Sequence, residues 1–210
     1  MSLILPLIFG FFSSSVGIAF PGLINMTAAK VSMRDGRDRA LLFVLGAVII
    51  IFFQTMAAVF FARFIDSHPD VTNLLREVGF GVFIALTIYF FFIAKAPKHK
   101  KEELKTQSKT NRFFLGMLLS SLNLFPIPYY VFITITLASY RLFSFESMSI
   151  FIYLLGVLVG SFSVFYYYIT SFVKIESKTD FFFRNINKII GTITGIVSLI
   201  TLINIIKYYF

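Results

Sequence analysis

The 210-residue chain contains no cysteine and no tryptophan, and its two histidines, His68 and His99, fall in polar connectors. Thiol redox chemistry therefore has no residue to act through, and imidazole-based metal sites have no ligand within an apolar segment. Charge is scarce as well: Asp, Glu, Lys and Arg make up 14% of the residues, against about one quarter in a soluble domain. The ten acidic residues are Asp35, Asp38, Asp66, Asp70, Glu77, Glu102, Glu103, Glu146, Glu176 and Asp180, and each lies in a connector or at the end of an apolar run. A hydroxyl nucleophile inside such a run would have neither His nor Asp to activate it, so enzymatic catalysis is not expected.

What is abundant is apolar surface, at 58% of residues, the composition of an integral membrane protein. A membrane-spanning helix needs about 20 apolar residues at a rise of about 1.5 Å each. With charges as punctuation, six runs qualify, at roughly 3–29, 40–62, 78–94, 113–138, 148–173 and 188–206. The first has no Lys or Arg before residue 30 and exceeds the apolar core of a signal peptide, so it is expected to remain in the mature protein. Fifteen of the nineteen basic residues fall in alternate connectors, around 30–39, 95–112 and 174–188. The positive-inside rule puts those connectors in the cytoplasm and both termini outside. The same rule accounts for the net charge of +9 without a nucleic-acid partner; anionic lipid head groups are the expected partners of the basic loops.

The segment "KAPKHKKEELKTQSKTNR" cuts the chain near its middle. Three runs precede it and three follow, so the second half enters the membrane from the opposite face, as in the inverted repeats of many transporters. The expected organisation is a first three-helix repeat over 1–95, a basic cytoplasmic loop over 96–112 and a second repeat over 113–210. Internal matches are weak but ordered. "SSSVGIAFPG" and "SSLNLFPIP" both lie in the first span of their half, with Pro21 and Pro126 105 residues apart, and Gly46 pairs with Gly156, and Gly81 with Gly191, at a separation of 110.

Proline inside a spanning helix removes a donor and frees carbonyls that lipid cannot satisfy, so such a break persists only when buried. One break is Pro21-Gly22, followed by Asn25 and Thr27; the other is "NLFPIPYY", with Asn123, Pro126, Pro128, Tyr129 and Tyr130. Unwound carbonyls suit an ammonium and the N-terminus of the following half-helix suits a carboxylate, which together describe a zwitterion. A plain proline kink is the alternative. Gln54, the strongest polar residue of the second run, is expected either to face the first break or to make an interhelical hydrogen bond. The tyrosines of "SFSVFYYYIT" fit an aromatic belt, and Asn204 an interfacial position. "GVLVG" and "GTITG" suit close helix packing within the monomer, with a homodimer as the alternative use.

At "FPGLINMTAAKVSMRDGRDRALLFVLGA" the sequence resembles the LysE/RhtB-type family of amino-acid exporters: Pro21, Gly22, Asn25 and Met26 match its opening motif, Gly36 its loop glycine and Leu45-Gly46 the next helix. "FFLGMLLSSLNLFPIP" supplies Leu115-Gly116, Asn123 and Pro126 for the family's Leu-Gly…Asn-Pro segment. The resemblance implies export of amino acids or related small molecules across a bacterial cytoplasmic membrane, driven by the proton gradient and without a bound cofactor. Two departures stand out. Leu23 replaces the second proline of the family's Pro-Gly-Pro, and Ile50-Ile51 stand where members often carry Gly-Asp. Without a carboxylate inside a span, lysine and arginine are poor substrates and the coupling ion stays open.

The candidate substrate-binding residues are thus Pro21, Gly22, Asn25, Gln54, Asn123, Pro126, Pro128 and Tyr129, with no catalytic, metal or cofactor ligand expected. A scaffold without transport is the rival from another class. An inorganic-ion carrier is a weaker one, because the spans lack the charged oxygen ligands that hard cations need.

Overall fold

Proline and glycine set where the helices begin and turn. The computed structural model describes residues 4–20, 22–94 and 108–209, in which seven α-helices occur: α1 (Ile4–Ala19), α2 (Leu23–Asp35), α3 (Arg37–Asp66), α4 (Pro69–Ile88), α5 (Lys109–Leu122), α6 (Pro126–Ser139) and α7 (Ser147–Tyr209). A π-helical turn, Tyr89–Ile93, extends α4. Pro69 and Pro126 open α4 and α6, where the missing N–H costs no intrahelical bond. Ser108 caps α5 by accepting from the Asn111 N–H at 3.2 Å. A single residue, Gly36, joins α2 to α3, and its φ of 89° is one that a side chain would resist.

The helices α3 and the Ser147–Ser171 portion of α7 are each long and apolar enough to cross a membrane. Two bent pairs also pass this test when each is taken as one span: α1 with α2, bent by 78°, and α5 with α6, bent by 63°. Shorter apolar helices lie at Phe80–Ile93 and Thr194–Ile203, in the third and sixth expected runs. Most of the connector expected at 96–112 lies outside the described residues, and its end forms the first turn of α5.

The chain forms two compact units. One comprises Met1–Phe64 with Glu103–Ile175, the other Ile65–Glu102 with Glu176–Phe210. In the second unit Thr87 Oγ1 donates to Thr194 Oγ1 at 3.0 Å, and Gly191 lies against the Phe91 ring. Gly81 meets nothing within 4 Å, so it and Gly191 are not packed alike.

The first unit is organised by two glycine crossings. A side chain at Gly10 of α1 would strike the carbonyl oxygen of Tyr153 in α7, and one at Gly156 of α7 would strike that of Leu7 in α1. Gly46 of α3 and Gly116 of α5 repeat the pattern, against the carbonyls of Phe113 and Phe43. In all four cases the oxygen belongs to the residue three before the partner glycine. The crossings also correspond in sequence, with Gly10 and Gly116 separated by 106 residues and Gly46 and Gly156 by 110. Each carries a fully buried serine one turn on, Ser14 or Ser120. Close backbone approach of this kind gains dispersion contacts that larger residues prevent. Between the crossings lies a core that includes Phe43, Val44, Tyr153, Val157 and Phe165.

Candidate functional site

Ending α1 at Ala19 leaves carbonyls without the N–H groups of a continuing helix. The Asn25 side chain, from the first turn of α2, folds back over the break. Its Nδ2 donates to Ile18 O at 2.5 Å and to Phe20 O at 2.8 Å. Tyr168 Oη donates to Ala19 O at 2.9 Å, and Tyr129 Oη to Ser13 O at 2.7 Å. The second break is served from a distance: Gln54, buried in α3, donates through Nε2 to Ser120 O at 3.1 Å and to Asn123 O at 2.9 Å. Protein donors therefore already occupy the unwound carbonyls that the sequence offered to an ammonium. In an apolar surround they must be so occupied, because a bare carbonyl there costs about 1–3 kcal/mol.

The helix starts beyond the two breaks differ. Among the described residues the first backbone bond of α2 runs from Met26 N–H to Gly22 O at 3.0 Å, and Gly22 brings no side-chain cap. Helix geometry leaves the N–H groups of Leu23, Ile24 and Asn25 without an intrahelical acceptor, aligned with the positive end of the helix dipole. In α6, Pro126 and Pro128 have no N–H, while those of Ile127 and Tyr129 bond back to Leu124 O and Phe125 O at 3.2 and 3.3 Å. That end has little left to donate.

A cavity of about 400 Å³ opens between the breaks. From the first break it is lined by Gly17, Ile18, Phe20 and Gly22 through Asn25; from the second by Leu122, Asn123, Phe125, Pro126, Tyr129 and Tyr130; Ile51 and Phe165 line it from α3 and α7. No charged side chain is among its lining residues. Phe125 and Tyr129 stack at 6.0 Å with 22° between their planes.

Of the residues singled out in the sequence, Gly22, Asn25, Asn123, Pro126 and Tyr129 thus meet at one cavity. Gln54 stands behind it as the cap of the second break, and Pro128 is exposed in the first turn of α6. Pro21 lies outside the described residues. Tyr168 departs from the aromatic belt expected of it. It is 3% exposed and turns inward to the α1 terminus, while Tyr167 stays exposed and Tyr166 receives the Arg37 guanidinium 4.8 Å from its ring centre. Tyr130, named with the second break, lines the cavity as well, whereas lining residues such as Phe165 and Leu122 carry no local signal beyond being apolar or aromatic in an apolar run.

Another feature was legible only as two separate charges. Asp35, the last residue of α2, and Arg112, in the first turn of α5, form an ion pair at 2.6 Å with both side chains fully buried. Asp35 was expected in the basic connector after residue 29; instead α2 continues through it, and its carboxylate is inside the protein.

A model of the LysE type translocator family matches residues 15–204. No curated protein and no solved structure matches the chain.

Proposed function

Since the chain belongs to the LysE type translocator family, whose members are membrane transporters and usually export amino acids, we propose that it is a secondary exporter of neutral amino acids or closely related zwitterions with an apolar side chain. The cavity between the two breaks is its substrate site. It would sit near the midplane of a bacterial cytoplasmic membrane, within six spans arranged as a 3+3 inverted repeat with both termini outside. The matched glycine crossings support the repeat, because two pairs of helices, one member from each half, meet through the same residues in the same register.

The observation that carries the reading is the uncapped start of α2 opening into a cavity without charged side chains. A carboxylate docked on the N–H groups of Ile24 and Asn25 gains both hydrogen bonds and the helix dipole. Asn123, exposed at the opposite wall, offers an amide oxygen to the ammonium, and the aromatic residues Phe20, Phe125, Tyr129 and Phe165 surround the side chain. A cationic or anionic side chain would be desolvated there with no counter-charge, which disfavours lysine, arginine and glutamate.

Counterflow of labelled amino acids in proteoliposomes tests this. Leucine, phenylalanine or methionine is expected to exchange at least tenfold faster than lysine or glutamate, and Asn123→Leu is expected to abolish exchange at normal membrane insertion. Exchange of none of them, or preference for a charged solute, would overturn the assignment; the former outcome favours a scaffold.

A further inference from the structure

The buried pair Asp35–Arg112 takes no part in the site just described, and its position calls for a role. Both contacts fall on one carboxylate oxygen: Arg112 Nε and Nη2 each lie 2.6 Å from Asp35 Oδ2. Asp35 Oδ1 is buried and has no hydrogen-bond partner among the described residues. A buried ion pair is at best near break-even against apolar packing of the same volume, and an unsatisfied carboxylate oxygen worsens the balance. As a brace the pair is a poor choice. Its best-attested use elsewhere is to hold one of two arrangements.

Its location fits that use. Asp35 ends α2 and Arg112 begins α5, while the opposite ends of these helices, Leu23 and Leu122, both line the cavity. At about 1.5 Å per residue, the 13 residues of α2 put the pair about 20 Å from the cavity end of that helix. It therefore bolts together the far ends of two half-helices that come from different halves of the chain. The half-helix α2 is hung between two joints, the break at Gly22 and the one-residue corner at Gly36. Parting α2 and α5 at this point would open a passage from the cavity toward the face bearing Asp35.

Among the described residues the opposite end shows no such bolt. The glycine crossings equate Gly10 with Gly116, which makes Pro6 the counterpart of Arg112. The second corner, Arg141 with φ of 59°, is 105 residues beyond Gly36, which makes Tyr140 the counterpart of Asp35. Neither counterpart carries a charge. The ionic closure is one-sided, and the basic connectors assign its side to the cytoplasm.

We propose that the Asp35–Arg112 pair is the latch of the cytoplasmic entrance, broken and remade once in each transport cycle; this rests on the transporter reading above. Removing one partner would leave the other's buried charge without this counter-charge, so the informative variant neutralises both, Asp35→Asn with Arg112→Gln. The natural chain has no cysteine, so Leu122→Cys supplies a single thiol at the cavity. Labelling it with a membrane-impermeant thiol reagent in inside-out vesicles is expected to be at least tenfold faster in the neutralised background than with the pair intact. Equal rates would overturn the latch. The readout needs no substrate: faster labelling in a protein that exchanges no amino acid retains the latch and rejects the substrate assignment.

A second measurement separates a latch from a static brace. In Asp35→Cys/Arg112→Cys, joining the only two thiols with a bifunctional methanethiosulfonate is expected to reduce counterflow at least tenfold, with recovery on reduction. Undiminished counterflow in the linked protein would overturn the proposal.

Discussion

The two breaks suffer the same loss and are repaired by different means. At the first, the amide that takes up the freed carbonyls belongs to Asn25, five and seven residues along the chain; at the second it belongs to Gln54, 66 and 69 residues away on α3. The first break is thus largely self-capped. The second is complete only when α3 lies against α5. Their following helices differ in the opposite sense: α2 begins with bare N–H groups, whereas the prolines of α6 leave it almost none. A proline announces that hydrogen bonds are missing, but which residues replace them decides whether a break can bind anything. Only the first has donors to spare.

The largest expected effect is at Gln54. Replacing it with Leu takes the amide donor from the carbonyls of Ser120 and Asn123 and leaves α3 with a side chain that cannot bond to α5; Ser120 O keeps only the Asn123 N–H at 3.1 Å. Stability should fall by about 2–3 kcal/mol, read as a lower denaturation midpoint in detergent and a lower yield. Asn25→Leu strands two carbonyls at the cavity wall, where water can substitute, and should cost about 1–2 kcal/mol. It should nonetheless insert and lose counterflow. The reverse order of stabilities would break the comparison.

A finer test uses Tyr168→Phe, which removes the hydroxyl donated to Ala19 O and is expected to cost about 1 kcal/mol. Its effect should be coupled to that of Asn25→Leu, which serves the same helix end, and additive with that of Gln54→Leu; a double-mutant cycle measures both. The smallest effect is expected from Leu23→Pro. Proline suits the first position of a helix, and Leu23 is 67% exposed. Stability should shift by less than about 0.5 kcal/mol, with counterflow within about twofold of wild type. A larger loss of counterflow would make the Leu23 N–H a ligand alongside those of Ile24 and Asn25.

How much of this could be read from the residues follows from the range of the interactions. The apolar runs and the two prolines are local signals, and both bent helices occur where they stand. Asn25 is close enough in sequence to its break for a role there to be expected. Gln54 was ambiguous between lining a site and packing, because its partners lie on α5 and no pattern in its own helix identifies them. Asp35 read as a charge in a basic connector. Its burial depends on Arg112, 77 residues away, and on α2 continuing as helix up to Gly36. Gly46 and Gly156 were paired by the similar segments "LLFVLGAV" and "IYLLGVLV" and their spacing, whereas Gly10 lay unnoticed in an apolar run because its partner belongs to α7.

The glycine crossings also limit how the first unit can deform. Where main chain rests on main chain, neither partner has a flexible side chain with which to absorb sliding, so α1 with α7 and α3 with α5 can turn about their contact points but not slip along them. These points act as axles. The half-helices α2 and α6 are outside both, and in the transport cycle proposed above they are the parts that swing once the Asp35–Arg112 pair opens.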